Sequence, residues 1–140
     1  MQRANWNNRT WIWLGLLVAL ILAGCRGGGG DLEDVNVDLA VTPDPPYVGP
    51  ATVVVTLSDD EGQPISGAKM SLEGNMNHAG MIPVLTEASE VSPGRYEAAL
   101  EFTMGGDWFF LVQAQLPDGR SLEHQVDVPG VDAFCGTPAP

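Results

Sequence analysis

The sequence is poor in positive charge. Its 140 residues include 6 Lys and Arg against 18 Asp and Glu, which gives a formal net charge of −12. Proteins that bind nucleic acid gain much of their affinity by neutralising phosphates with Lys and Arg, and patches that adhere to anionic lipid need the same residues. We therefore expect neither a nucleic-acid partner nor a purely electrostatic attachment to a membrane.

The sequence also lacks the motifs of common enzyme classes. It contains no Gly-x-Ser-x-Gly, no glycine-rich phosphate loop and no His-Glu-x-x-His. Its many carboxylates alternate with apolar residues, as on the exposed faces of strands, and no general acid–base pair stands out. We predict that the protein is not an enzyme.

Cysteine is scarce as well, and the first of the two cysteines ends an export sequence. Arg3 and Arg9 precede an apolar run over 11–23, and Ala23 and Gly24 then place two small residues before Cys25. This order of basic, apolar and small residues is that of a secretory signal peptide, and the cysteine marks the lipoprotein form. We predict that residues 1–24 are removed and that a lipidated Cys25 holds the protein on the extracytoplasmic side of the cell membrane.

An uncleaved transmembrane helix is the alternative interpretation of this segment. The apolar run would extend about 20 Å as a helix, whereas the hydrocarbon core is about 30 Å thick, so the lipoprotein is favoured. Residues 25–34 hold four consecutive glycines and predict a flexible tether. Because all 18 acidic residues follow Cys25 while Arg3 and Arg9 precede it, the processed chain has a formal charge of −14, and lipid is its expected anchor.

Lipidation of Cys25 leaves the second cysteine, Cys135, without an intramolecular partner, so no disulfide is expected in the fold. Residues 129–140 are rich in Pro and Gly and predict an irregular tail. We expect Cys135 to be an inert thiol in this tail. A soft metal ligand is the alternative.

Between residues 35 and 128, apolar and polar residues alternate with the period of two that is typical of strands with one buried face. There are seven such segments, at 35–42, 52–57, 68–73, 82–87, 96–102, 108–114 and 122–128. Turn residues separate them, and Pro117-Asp118-Gly119 predicts a tight hairpin before the last strand. We predict an all-β, immunoglobulin-like β-sandwich with a core built on Tyr96, Phe102, Trp108 and Phe110.

One segment, residues 74–83, carries soft metal donors. It holds Met76, His78 and Met81 in a polar, glycine-bounded stretch that we predict to be a loop, where core packing would not explain methionine. Thioether sulfur favours Cu(I), and imidazole is also a good copper ligand. Met104 lies in another turn-like break and would add a third sulfur if the two loops meet. These four residues form the predicted Cu(I) site.

Packing offers a second explanation for the same residues. Met76 and Met81 could close one end of the core, Met104 could pack under Trp108, and His78 could bond a backbone carbonyl. The other histidine, His124, shares the apolar face of its strand. We expect it to be hydrogen-bonded and partly buried rather than a ligand.

The segments 62–68, 76–84, 93–96 and 102–108 together resemble the YtkA-like domains, relatives of the FixH group in bacterial envelopes. The resemblance covers residues 35–128. It implies an immunoglobulin-like sandwich outside the cytoplasmic membrane, linked to copper handling or to assembly of copper-containing respiratory oxidases. The family's Met-His-Met loop and later Met-Gly segment map onto Met76, His78, Met81 and Met104.

Two functions follow as hypotheses. The first is a lipid-anchored Cu(I)-binding module that buffers copper or delivers it to a copper protein or membrane complex. The second is a metal-free interaction module that docks on a membrane protein complex, with the Met-rich loop as a contact surface. A structural envelope protein without a dedicated ligand is a third possibility.

Overall fold

A computed structural model of the protein describes residues 32–78 and 80–133. The predicted signal peptide, Cys25, most of the tether and Cys135 lie outside the described residues. Within these two ranges, no helix is long and apolar enough to cross a membrane.

Seven antiparallel strands form the domain. They are β1 (Val35–Thr42), β2 (Gly49–Asp59), β3 (Lys69–Met76), β4 (Val84–Ser92), β5 (Arg95–Phe102), β6 (Gly106–Gln115) and β7 (Ser121–Val131). Hydrogen-bonded neighbours follow the order β1-β2-β5-β4-β3-β6-β7. The immunoglobulin fold places its first, second, fifth and fourth strands in one sheet and its third, sixth and seventh in the other. The predicted immunoglobulin-like sandwich is confirmed.

Strand β4 passes from one sheet to the other. Its first half pairs with β3 up to Ala88, and its second half pairs with β5 from Ser89 onward. The Thr86 hydroxyl donates a hydrogen bond of 3.0 Å to the Ala99 carbonyl, beyond the point where β5 has lost β4 as a ladder partner. A side chain thereby satisfies a carbonyl that no strand covers.

The alternating pattern places one side chain in two between the sheets. The four aromatic residues predicted for the core are all buried, with 2% exposure or less, and this prediction is confirmed. Phe102 of one sheet meets Trp108 of the other edge to face, with ring centroids 5.0 Å apart. A T-shaped contact stabilises the fold in addition to the stability that comes from burying the apolar area of the two rings.

The buried Tyr96 ties the β2–β3 connection to the start of β5. Its hydroxyl donates to the Ile65 carbonyl at 2.8 Å and accepts from the Ala68 N–H at 3.1 Å. Burial raises the pKa of this phenol. Nearby, the N–H of Gly67 donates to the Glu90 carboxylate and lowers its pKa.

Replacing Tyr96→Phe should therefore lower the free energy of unfolding by about 1–3 kcal/mol, because two part-buried hydrogen bonds are lost and each contributes about 0.5–1.5 kcal/mol. Urea denaturation followed by circular dichroism measures this loss. Ser89→Ala, which removes an exposed hydroxyl from β4, is the control. Equal stability of the two variants would contradict the role given to Tyr96.

The turn before β7 was predicted correctly from the sequence, whereas the end of β7 was not. The predicted hairpin before it is confirmed, with the Leu116 N–H bonded to the Arg120 carbonyl and Gly119 at φ 89°. The strand continues to Val131, past the predicted end at residue 128. Pro129 and Gly130 suggested a tail, but an edge strand tolerates proline, and Asp107 accepts the Gly130 N–H at 2.9 Å where the β6–β7 register shifts.

Candidate metal site

One end of the sandwich contains every predicted metal donor of the domain. It is formed by the loops 43–48, 77–83 and 103–105 together with the residues that follow β7. Met76 ends β3, His78 and Met81 lie in the second of these loops, and Met104 lies in the third. We call this end the methionine end.

Met76 is a core residue. It is the last residue of β3 and only 8% exposed, and it pairs in register with Trp108 of β6. Its terminal methyl lies so close to Gly106 that a Cβ there would approach it to 2.9 Å. The expectation that this stretch is a loop is wrong for residues 74–76, and packing does explain Met76.

Gly74 shows why the strand extends further than expected. A Cβ at this position would lie 3.0 Å from the Phe110 ring and 3.4 Å from the Trp108 ring. The glycine therefore admits two aromatic rings against the backbone of β3 and does not form a turn. The period of two over Met70, Leu72, Gly74 and Met76 was the sequence pattern that could have revealed this.

Trp108 pairs in register with Met76 at the end of β3 and also contacts the loop that carries Met104. Its indole N–H donates to the Met104 carbonyl at 2.9 Å, which holds the loop 103–105 against a ring that is itself buried. The Met104 side chain is 37% exposed and is not among the side chains packed on the core. The backbone of Met104 is thus fixed while its thioether lies at the surface.

His78 and Met81 differ in exposure. His78 is exposed, whereas Met81 is half-buried and packs against the core. The four donors therefore differ in exposure: the His78 imidazole and the Met104 thioether are exposed, the Met81 thioether is half-buried and the Met76 thioether is buried.

The chain after β7 braces the methionine end. The Asp132 carbonyl accepts the Val48 N–H at 2.8 Å, and the Asp132 N–H donates to the Pro46 carbonyl at 2.9 Å. Ala133 lies against Gly105, where a Cβ would come within 2.8 Å of the Ala133 nitrogen. The residues after β7 thus join the loop 43–48 by hydrogen bonds and contact the loop that carries Met104 at Gly105.

Other metal chemistry finds little support in the described part of the chain. No group of three or more His, Cys, Asp or Glu residues there could hold a metal ion. His124 is half-buried on β7 opposite Val112, as predicted, and it is engaged in an interaction there. The remaining donors, one imidazole and three thioethers, form a soft set whose chemistry fits Cu(I).

Comparison with known families identifies the domain. A family model described as YtkA-like matches residues 31–113. The chain belongs to the YtkA-like family. The match runs from β1 into β6 of this YtkA-like domain and includes the loops 77–83 and 103–105. No comparison bears on the relation to FixH, which stays a prediction.

Other comparisons give distant likenesses. No curated protein matches the sequence significantly. The PmoD soluble domain from Methylocystis sp. ATCC 49242 (Rockwell) is 13% identical with a TM-score of 0.47, covering 68% of this chain and 90% of that one. Murine CRIg is 12% identical with a TM-score of 0.42, covering 71% and 98%.

Proposed function

We propose that this YtkA-like protein is a lipid-anchored, extracytoplasmic module that binds Cu(I) through His78, Met81 and Met104. The observation that carries the proposal is the position of Trp108. Trp108 pairs with Met76, the residue directly before the loop 77–83, and its indole N–H binds the Met104 carbonyl in the loop 103–105. In this assignment Met76, a ligand candidate from the sequence, supports the site from below because it is buried against Gly106.

The exposure of the donors suits a site that exchanges its ion. Imidazole and thioether groups at the surface can pass Cu(I) to another protein without opening the core. The acidic domain also attracts cations electrostatically. The proposed role is therefore to buffer or deliver copper, in copper handling or in the assembly of a respiratory oxidase.

The entry point of the chain gives the proposed site a direction. Arg120 forms ion pairs with Asp34 at 2.6 Å and with Asp118 at 2.7 Å, at the end where the β6–β7 hairpin lies. Strands rise about 3.3 Å per residue, so the strands of this domain place the methionine end roughly 30 Å from that point. With Cys25 lipidated, the tether would enter the domain at the end opposite the donors, which leaves the methionine end accessible.

Copper binding can be measured on the processed chain from residue 25 onward with Cys25 and Cys135 replaced by serine, so that no thiol competes for Cu(I), and Trp108 is the sole tryptophan of this chain. Under anaerobic conditions we expect Cu(I) to quench its fluorescence and to saturate at one equivalent. Zn(II) should have no effect, because thioethers are poor ligands for it. Unchanged fluorescence together with full loss of copper to a competing chelator would refute the proposal.

Lipidation is tested by feeding cells a clickable fatty acid. The wild-type protein should incorporate the label, and Cys25→Ser should abolish incorporation because the acceptor thiol is gone. Cys135→Ser is the matched control and should be labelled like the wild type. Labelling of the Cys25→Ser variant would show that the anchor is placed wrongly.

A second candidate function is a metal-free module that contacts a membrane complex through the methionine end. The 37% exposure of Met104 favours it, since exposed methionine adapts to varied partners. The copper titration separates the two functions, because this one predicts no retained ion.

A further inference from the structure

The outer face of the sheet β4-β3-β6-β7 carries apolar side chains that the core does not use. In one row of the ladder, Leu85 of β4 and Leu111 of β6 lie on either side of Glu73 of β3. Neighbouring strands are about 4.8 Å apart, so the two leucines are separated by about 10 Å. Phe109 is half-exposed two residues along β6, and Leu85 is 73% exposed. We call these four residues and their surroundings the Leu85 face.

The other sheet has a less apolar outer surface, and among the described residues Val91 near the end of β4 is its one large exposed hydrophobic side chain. Its outward positions on β1, β2 and β5 are mostly small or polar, as with Asp38, Thr52, Thr56 and Glu97, and Val54 is the largest aliphatic residue there. An antiparallel sheet that faces water normally alternates apolar-in with polar-out. The Leu85 face departs from this pattern on one side of the domain only.

The charge around the Leu85 face is uniformly negative apart from one lysine. Besides Glu73, and apart from Asp107 at the β6–β7 register shift, the outward carboxylates of this sheet are Glu87, Glu123 and Asp127, and among the described residues Lys69 is its only outward cation. Arg95 and Arg120, the other described cations, form ion pairs with Glu97, Asp34 and Asp118.

Neutral amides hold three of these four carboxylates. Asn75 donates to Glu73 at 3.1 Å, Gln113 to Glu123 at 3.2 Å, and Gln125 to Asp127 at 3.1 Å. Such hydrogen bonds orient the carboxylates and leave their charge in place. The Leu85 face therefore presents apolar side chains surrounded by carboxylates that keep their charge. We call the carboxylates of Glu73, Glu87, Glu123 and Asp127 the acidic frame.

We propose that the Leu85 face docks a protein segment whose apolar side chains are flanked by Lys or Arg. Complementary charge selects this occupant, because like charges across an interface are costly. A second copy of the chain would oppose acid to acid, and an anionic membrane surface would repel the frame. The surface uses none of the proposed copper ligands, so the inference is independent of metal binding.

Site-specific photocrosslinking in the native host tests this proposal on the full chain. Benzoylphenylalanine replaces Leu85 in one strain and Thr52, on the opposite sheet, in another. We expect a heterologous adduct from position 85 at least fivefold stronger than from position 52. The crosslinked peptide of the partner should contain Lys or Arg beside its apolar residues. Combined Glu73→Lys and Glu87→Lys substitutions should remove most of the adduct.

Each other outcome overturns the proposal. Equal adducts from both positions would show that contact is not specific to this face. An adduct with the chain itself or with lipid would identify a different occupant, and the absence of any adduct at position 85 would show a free surface. Persistence of the adduct after charge reversal would remove the electrostatic argument. The same crosslink in a His78, Met81 and Met104 triple-alanine strain separates this test from the copper proposal.

Discussion

Replacing His78, Met81 and Met104 together with alanine is expected to lower the Cu(I) affinity of the processed chain by more than about 100-fold. Loss of an outer-shell partner of a metal site already costs about 10–100-fold, and here three direct ligands would be lost. Because these side chains are exposed or half-buried, the variant should remain folded. Competition with a Cu(I) chelator measures the affinity, and thermal unfolding checks the fold.

Two methionine variants sharpen this experiment. Met70→Leu is the matched control, because Met70 is a buried methionine that lies in β3 like Met76 but is distant from the methionine end. Met76→Leu removes the sulfur at the base of the site with little change in volume, a swap that usually costs less than about 1.5 kcal/mol. We expect both variants to bind Cu(I) like the wild type. A large loss in Met76→Leu would make Met76 a ligand, and unchanged binding by the triple variant would refute the site.

Removing the Trp108 side chain should have the largest effect on stability. Trp108 is 2% exposed, packs edge to face on Phe102 and lies against Gly74. Truncation of a buried tryptophan to alanine costs about 3–5 kcal/mol, a large share of the roughly 5–15 kcal/mol that stabilises a domain. Urea denaturation of Trp108→Ala, followed by circular dichroism, should show this loss.

A milder change at the same position separates packing from loop positioning. Trp108→Phe keeps an aromatic ring but loses the N–H that donates to the Met104 carbonyl. It should destabilise less than Trp108→Ala and still weaken Cu(I) binding, since the loop 103–105 loses its attachment. Phe109→Ala, which truncates a half-exposed ring on the outer face, is the control. Trp108→Ala with wild-type stability would contradict the core described for this domain.

Local sequence predicted most of the fold. The alternation of apolar and polar residues located all seven strands, because each strand buries one face. Strand ends were less accurate where a residue type suggested a loop. Glycine in a polar segment usually indicates a turn or loop. Gly74 instead lies in β3, because Phe110 and Trp108 occupy the space that a side chain would take. That requirement comes from β6, more than thirty residues away in the chain.

The candidate site was predictable in composition and not in arrangement. The residue types of His78, Met81 and Met104 indicated a soft metal, but their common location depends on β3 pairing with β6. The Leu85 face was not predicted from the sequence. The segment 82–87 was predicted as a strand, and nothing local shows that β4 begins at Val84, changes sheets and presents Leu85 to solvent.

X-ray absorption at the copper edge of the Cu(I)-loaded, processed chain with Cys25 and Cys135 replaced by serine identifies the atoms that bind copper, because methionine is then the only source of sulfur. Binding at the methionine end predicts sulfur and nitrogen in the first coordination shell, and the sulfur contribution should largely disappear in a Met81→Leu, Met104→Leu double variant. A shell of nitrogen and oxygen alone, unchanged by the double variant, would contradict the assignment.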